Sequence, residues 1–228
     1  MSTVESVLAR LQSLSRPEQL EGMARFGIAG EGRLGISIPD LRRLARGLGV
    51  DHGLALQLWD TGIPDARILA SMIDDPAELT GGQMDRWVTG FASWDVCDQV
   101  CMNLFDKNPI AWKKTKEWAK REEEFVKRAA FALIACLAWH DRESPDDRFL
   151  ALLPVIRRAS SDERNYVRKS VSWALRHIGK RNRQLNRAAI AEARLMITLD
   201  SRSARWVARD ALRELESPAV QARLKKKS

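Results

Sequence analysis

The segment 93–98 brings together side chains that could do chemistry. It reads Ser-Trp-Asp-Val-Cys-Asp, so Trp94 lies four residues before Asp98. Residues four apart share one face of an α-helix, which would place the indole beside the carboxylate. Local chemistry is therefore expected to centre on this segment. The alternative is that Trp94 is a core residue and that Asp98 caps a helix or pairs with an arginine.

A second possible site consists of cysteine and histidine residues. Cys97 and Cys101 are four residues apart, as are Cys136 and His140, so the four side chains could meet as zinc ligands. Zinc sites usually show tighter Cys-x-x-Cys spacing, and buried thiols on helix faces are the preferred interpretation. We therefore expect no metal and no other cofactor. Three cysteines also suit a reducing compartment better than a disulfide framework.

Nearly every segment has the periodicity of an amphipathic helix. Strand-like alternation is absent, whereas apolar residues recur at steps of three and four, as in Val4, Val7, Leu8, Leu11 and Leu14. The glycine-rich stretch 27–35 predicts a loop, and it lacks the Gly-Lys-Ser/Thr ending of a phosphate loop. The predicted fold class is all-α, with many short helices and short connections.

The helices repeat with a period of about forty residues. Residues 124–134 match residues 165–175 at an offset of 41, and Trp206 follows Tyr166 at an offset of 40. Each copy reads aromatic, valine and then basic residues, and an earlier copy is expected to begin at Trp87. This period is typical of HEAT-like helix pairs, which stack into a curved solenoid with a concave face.

The repeats also predict a face that contacts a polyanion. If the aromatic and valine positions pack inward, the basic positions would line the concave face: Lys127, Arg128, Arg168, Lys169 and Arg209. In the same alignment Trp94 corresponds to Ala132 and then to Trp173, so two tryptophans are predicted at one repeat register, two repeats apart. They could project onto one face of the solenoid, or both could be core residues.

Size and charge point to nucleic acid as the partner. The 228 residues, 45% of them hydrophobic, are enough for one domain, expected to span 1–228 with a frayed basic tail over 221–228. Residues 151–228 contain 19 lysines and arginines against seven acidic residues, a net charge of +12, whereas residues 1–150 have a net charge of −4. Arginine suits phosphate oxygens, which makes nucleic acid the predicted partner. A basic surface that only keeps the protein in solution is the alternative.

The hydropathy pattern gives no sign of a membrane. There is no run of about 18 apolar residues, and the first ten residues read as an amphipathic helix without the apolar core of a signal peptide. We therefore expect a soluble, cytoplasmic monomer.

The chain resembles the AlkD-type bacterial alkylpurine DNA glycosylases, which are built from HEAT-like repeats, over nearly its whole length. The most specific segments of this resemblance are Ser93–Asp98, Lys127–Ala130 and Val171–Arg176. The resemblance implies a HEAT-like fold. It also implies an enzyme that removes alkylated purines from double-stranded DNA.

The resemblance also assigns roles to individual residues. It implies that Asp98 is the catalytic carboxylate, that Trp94 and Trp173 are aromatic walls, and that Arg128 is a functional arginine. Phe26 stands where the best-known member has a tyrosine near the DNA, and Ser93 replaces a further tryptophan. The residues expected to contact DNA are Phe26, Lys127, Arg168, Lys169, Arg176 and Arg209.

These residue types suit the implied reaction. A purine alkylated at N3 or N7 is a cation and leaves as a neutral base, so positive charge on the sugar is what must be stabilised. Asp98 could stabilise it directly or by orienting water, and Arg128 could hold a flanking phosphate. The competing function is a non-catalytic repeat scaffold that binds structured DNA or a protein.

Overall fold

All secondary structure in the computed structural model is helical. The structure describes residues 2–28 and 31–226, and no strand occurs within these ranges. The predicted all-α class is therefore confirmed. The chain divides into two compact units, Met1–Ile110 and Ala111–Ser228, where composition suggests a single domain.

The first unit consists of short helices with well-defined starts. Thr3, Ser37, Asp51 and Thr80 each accept a hydrogen bond from the backbone N–H three residues further on, which satisfies one of the unpaired amides of a helix start. The helices are α1 (Val4–Ser13), α2 (Leu20–Arg25), α3 (Ile38–Leu48), α4 (His52–Asp60), α5 (Pro64–Ile73), α6 (Gly81–Thr89) and α7 (Trp94–Asn103), with short 3₁₀ turns at Pro17–Gln19 and Phe105–Lys107. In the predicted glycine-rich loop, residues 29 and 30 lie outside the described residues.

An aromatic cluster fills the core of the first unit near α7. Trp59 and Trp87 stack with their ring centroids 4.1 Å apart, and Phe91 meets Trp59 edge-on at 5.9 Å. Aromatic pairs of this kind contribute about 0.5–1.5 kcal/mol beyond the area they bury. Phe91 lies in the connection between α6 and α7, so the cluster fixes the segment that leads into α7.

The second unit contains a long buried helix flanked by others. Its helices are α8 (Ala111–Trp118), α9 (Glu124–His140), α10 (Asp146–Leu150), α11 (Leu153–Ala159), α12 (Asn165–Gly179), α13 (Arg183–Ile197), α14 (Arg202–Leu215) and α15 (Pro218–Lys225). Every residue from Arg128 to Ala138 is buried, as expected for a helix that is apolar on all sides. α9 packs against α8 and α12, and α12 packs against α14.

The repeat that the sequence predicts is confirmed in the second unit. Val126, Val167 and Val207 are all buried, in α9, α12 and α14 respectively. The aromatic position differs from the expectation, because its side chains lie at the surface between neighbouring helices. Phe125 stacks on Tyr166 with the ring centroids 5.6 Å apart. Trp206, the third aromatic residue of the series, is exposed.

The prediction that an earlier copy of the repeat begins at Trp87 is wrong. Trp87 lies in the last turn of α6, whereas Phe125 lies in the first turn of α9. The predicted common register of the two site tryptophans is wrong for the same reason: Trp94 is the first residue of α7, and Trp173 lies in the middle of α12. Connections of different length between the helices shift the offset.

The C-terminal segment is more ordered than its composition suggests. α15 continues to Lys225, and the side chain of Leu224 is buried. The segment expected to fray from 221 onward is thus helical as far as Lys225. Residues 227 and 228 lie outside the described residues.

Candidate active site and nucleic-acid interface

The segment 33–36 is held rigidly against the first unit. The two backbone amides that flank Gly35 donate to the two carboxylate oxygens of Asp65, at 2.8 and 2.9 Å. Gly35 has a φ of +75°, and a Cβ atom there would lie 2.5 Å from the carbonyl oxygen of Arg16. Only glycine fits this position. The segment therefore places Arg33 with little freedom.

Arg33 fixes the start of α7. Its guanidinium lies 2.8 and 3.0 Å from the two carboxylate oxygens of Asp95, and it also donates to the hydroxyl of Ser93 at 3.2 Å. The side chains are 5% and 12% exposed for Arg33 and Asp95. A bidentate pair of this kind is charge-assisted and directional, so it sets the orientation of the helix. The Asp95 carboxylate also lies in the first turn, where the helix dipole favours negative charge.

Trp94, the first residue of α7, is joined to Phe26. The indole Nε1 donates to the carbonyl oxygen of Phe26 at 2.9 Å. The Trp94 side chain is half-buried, and Phe26 is 77% exposed at the end of α2. The structure thus brings together the predicted wall and the predicted DNA contact.

Asp98 lies one turn after Trp94 on the accessible side of α7. The inner side of the helix carries Cys97, Val100 and Cys101, all completely buried. Asp98 and Trp94 are both half-buried, which agrees with their predicted common face. The helix therefore presents an indole and a carboxylate together at the edge of the first unit.

Arg128 is enclosed within the second unit. Its residue is 5% exposed, and its guanidinium donates to the carbonyl oxygen of Tyr166 in α12 at 2.7 Å. Lys127 forms an ion pair with Asp162, in which its Nζ lies 3.3 Å from a carboxylate oxygen. Burial acts to raise the pKa of Asp162, but hydrogen bonds from Arg164 and Lys127 outweigh it and hold the pKa below its usual value. Both predicted basic residues of α9 therefore make internal contacts.

Trp173 is half-buried in the middle of α12, beside His177. The two rings meet edge to face with their centroids 5.8 Å apart. Burial, with the positive charges of Lys180 and Arg176, lowers the pKa of His177 to about 4. The imidazole is therefore uncharged at neutral pH.

Arg176, which the sequence predicts as a DNA contact, is paired inside the protein. It forms an ion pair with Glu214 and lies 3.5 Å from Asp210. Lys180 also binds Glu214, at 2.6 Å. Burial acts to raise the pKa of Glu214, and hydrogen bonds from Lys180 and Arg176 overcome this and lower the pKa. These links join α12 to α14.

An arginine-lined depression of about 630 Å³, the arginine groove, lies along α12 and α14. The guanidinium of Arg168 lies 5.0 Å from the ring of Trp206, over its face. Two acidic residues, Glu163 and Asp210, also line the groove. Its basic residues are Arg168, Arg202, Arg205, Arg209 and Arg213.

The sequence reasoning found only part of this surface. Arg168 and Arg209 were expected to contact DNA, and Lys169 is exposed as well, whereas Arg202, Arg205 and Arg213 were missed. Their signal is helical spacing: residues 202, 205, 209 and 213 fall on one face of α14.

Two other expectations concern metals and membranes. Among residues 2–28 and 31–226 there is no group of three or more histidine, cysteine or acidic side chains that could hold a metal ion. No helix in the same ranges is both long and apolar enough to span a membrane.

Helices that repeat in this way, with an anchored tryptophan and carboxylate on one of them, define a HEAT-like repeat protein with a candidate catalytic site. Residues 7–215 match the family described as DNA alkylation repair enzymes. The chain belongs to this family.

Two relatives place the chain further. The uncharacterized protein Lin0241 of Listeria innocua is 23% identical over 198 residues, which cover 85% of this chain and 86% of that protein. A solved structure represents a family related to the HEAT-like repeat DNA glycosylases, with affinity for branched DNA structures. It aligns with a TM-score of 0.76 at 17% identity over 98% of this chain and 96% of its own. This likeness confirms the HEAT-like fold.

Proposed function

We propose that the protein is a DNA glycosylase that hydrolyses the N-glycosidic bond of purines alkylated at N3 or N7 in double-stranded DNA. The observation that carries the proposal is that Trp94 and Asp98 lie on the same accessible face of α7, in a chain that belongs to a DNA alkylation repair family. The anchoring of α7 by Arg33 supports it, because a catalytic carboxylate must be held in place.

The chemistry assigned to Asp98 is electrostatic. As the bond between C1′ and the base nitrogen breaks, the bonding electrons neutralise the cationic base, and positive charge develops on the sugar. The carboxylate of Asp98 stabilises that charge and orients the water that adds to C1′ with loss of a proton. The products are the free base and an abasic site. Because the base leaves neutral, no general acid is needed.

The aromatic walls are assigned to Trp94 and Trp173. An indole face attracts positive charge, so these rings favour the charged sugar over the neutral one. The hydrogen bond from Trp94 to the backbone of Phe26 supports this role, because it fixes the plane of the indole. Phe26, with its large exposed ring, is assigned to the DNA contact beside Trp94.

DNA binding is assigned chiefly to the arginine groove and to Lys169. Exposed cations there can neutralise phosphates without breaking an internal contact, which favours Lys169 and Arg209. Lys127, Arg128 and Arg176 already bind groups of the protein. Their proposed part in catalysis and DNA contact is therefore to hold α9, α12 and α14 in place behind the binding surface. The protein is proposed to act as a monomer.

The direct test is a search for the released base. The purified protein is incubated with duplex DNA that contains 7-methylguanine, and free base and abasic sites are counted against an enzyme-free control. Cationic lesions also lose their base spontaneously, so the enzyme-dependent rate is the quantity that decides. The proposal predicts release from alkylated duplex and none from undamaged duplex.

A second candidate function is a non-catalytic protein that binds structured DNA. It is favoured by one observation, the structural likeness to a family with affinity for branched DNA structures. Under this alternative, branched DNA is bound but 7-methylguanine is released no faster than in the enzyme-free control.

A further inference from the structure

A depression at one end of the second unit is separate from the arginine groove. It encloses about 560 Å³ where the C-terminal ends of α9 and α12 meet the start of α10 and the last turn of α15. We call it the Trp139 pocket. Its lining includes Trp139, Arg142, Asp146, His177, Lys180 and Arg223.

Trp139 is the most unusual residue of this pocket. It is 49% exposed, although the eleven residues before it in α9 are all buried. Its ring stacks on that of His140 with the centroids 4.8 Å apart, and it meets His177 at 6.0 Å. The indole is thus supported by two imidazoles while half of its surface remains accessible. Such a supported and exposed aromatic surface is suited to stacking on another flat ring.

The cations of the pocket divide into two kinds. Lys180 is bound to Glu214, and Arg181 donates to backbone carbonyls at the end of α9 and lies over a phenylalanine ring. Arg142 is exposed, with no ion pair to any described residue, and Arg223 is exposed as well, donating one hydrogen bond to the carbonyl oxygen of Lys180 at 3.3 Å. These two arginines are able to meet an anion.

Acidic character in the pocket is small. The carboxylate of Asp146 accepts two hydrogen bonds from Asn182, at 2.8 and 2.9 Å. With one carboxylate satisfied in this way against two exposed arginines, the pocket favours a ligand that combines an aromatic ring with a negative charge. A nucleotide has both.

We propose that the Trp139 pocket binds an unpaired nucleotide of a DNA strand, with its base on the indole of Trp139 and its phosphates on Arg142 and Arg223. Bases within a duplex are covered by their stacked neighbours, so an exposed indole discriminates in favour of a strand that is unpaired. The inference rests on the DNA-binding part of the proposed function, and not on catalysis by Asp98.

His177 links this pocket to Trp173. It contacts Trp139 on one side and Trp173 on the other. Because its pKa is about 4, it adds an uncharged ring at neutral pH. The three rings form a continuous aromatic series from Trp173 on α12 to Trp139 on α9.

The test compares two labelled duplexes, one blunt and one with a short single-stranded thymidine arm, by fluorescence anisotropy. The wild-type protein is expected to bind the armed duplex more tightly. Trp139→Ala is expected to remove that preference, with a loss of about tenfold for the armed duplex and none for the blunt one. Trp139→Phe, which retains an aromatic ring, is expected to keep most of it.

Matched controls separate stacking from other effects. Leu195→Ala removes another large side chain, 48% exposed on α13, and is expected to change nothing. An arm of abasic spacers keeps the phosphates but lacks bases, and should bind less tightly than the thymidine arm. Arg142→Ala should weaken the armed complex, whereas Arg187→Ala, at an exposed arginine of α13, should not.

Three results would overturn the inference: equal binding of the two duplexes by the wild-type protein, an undiminished preference in both Trp139→Ala and Arg142→Ala, or full binding of the abasic arm. Thermal melting confirms that each variant is folded. Release of 7-methylguanine from blunt duplex is measured in parallel, and is expected to be unchanged in Trp139→Ala. A protein that prefers the arm but releases no base would disprove the glycosylase while leaving the pocket intact.

Discussion

The indole nitrogen of Trp94 donates a hydrogen bond to the carbonyl oxygen of Phe26 at 2.9 Å. This bond joins the first residue of α7 to the end of α2, so residues 68 positions apart in the chain are in contact. It uses the only N–H donor of the indole. Together with the Arg33–Asp95 pair, it gives α7 two anchors and prearranges the ring and carboxylate that the proposed reaction requires.

The first prediction concerns the role of Asp95 as an anchor. Asp95→Ala leaves the nearly buried guanidinium of Arg33 without its carboxylate, and breaking such a pair costs about 3 kcal/mol. The melting temperature should therefore fall by roughly 10 °C in calorimetry. Asp147→Ala, at an exposed carboxylate of α10, is the control and should cost less. Equal melting temperatures for Asp95→Ala and the wild type would show that α7 does not depend on this pair.

Much of the fold follows from the sequence, because local and repeated patterns determine it. The apolar spacing predicts helices, and the repeated Val126 and Val167 predict the packing of α9 on α12. The register between α7 and the later helices is not predicted, because it depends on the lengths of the connections. A constant repeat length aligns Trp94 with Trp173 in the sequence. In the structure, however, the two residues lie at different positions within their helices.

The candidate site is predictable in part for a related reason. The common face of Trp94 and Asp98 depends only on helical spacing, and the structure agrees with it. The burial of Arg128 depends on a contact with Tyr166, 38 residues away, which no local pattern records. For the same reason, arginine content alone does not separate the exposed Arg209 from the ion-paired Arg176.

The second prediction concerns the electrostatic part of DNA binding. The logarithm of the affinity for undamaged duplex should fall linearly with the logarithm of the salt concentration. Lys169→Ala and Arg209→Ala, at exposed positions, should each flatten the slope by about 0.9, the value for one phosphate contact. Arg187→Ala on α13 should leave the slope unchanged. A slope that none of the substitutions alters would show that the basic surface makes no contact with DNA.

The third prediction concerns the stability of the second unit against acid. The pKa of His177 lies at about 4 in the folded protein against an ordinary value of 6.5, so between these values the unfolded chain binds the extra proton. The free energy of unfolding should therefore decrease as the pH falls through this range, by about 2 kcal/mol between pH 7 and pH 5. His177→Asn should lose this dependence. Parallel melting curves of both proteins test it, and identical pH slopes would contradict the prediction.

The central claim is that Asp98 stabilises charge that exists only in the transition state. Asp98→Asn keeps the shape of the side chain and removes its charge, so DNA affinity should stay within about twofold of the wild type. The single-turnover rate of 7-methylguanine release from duplex DNA, with the spontaneous rate subtracted, should fall by about a hundredfold or more. An undiminished rate in a folded Asp98→Asn variant would contradict the assignment of the active site.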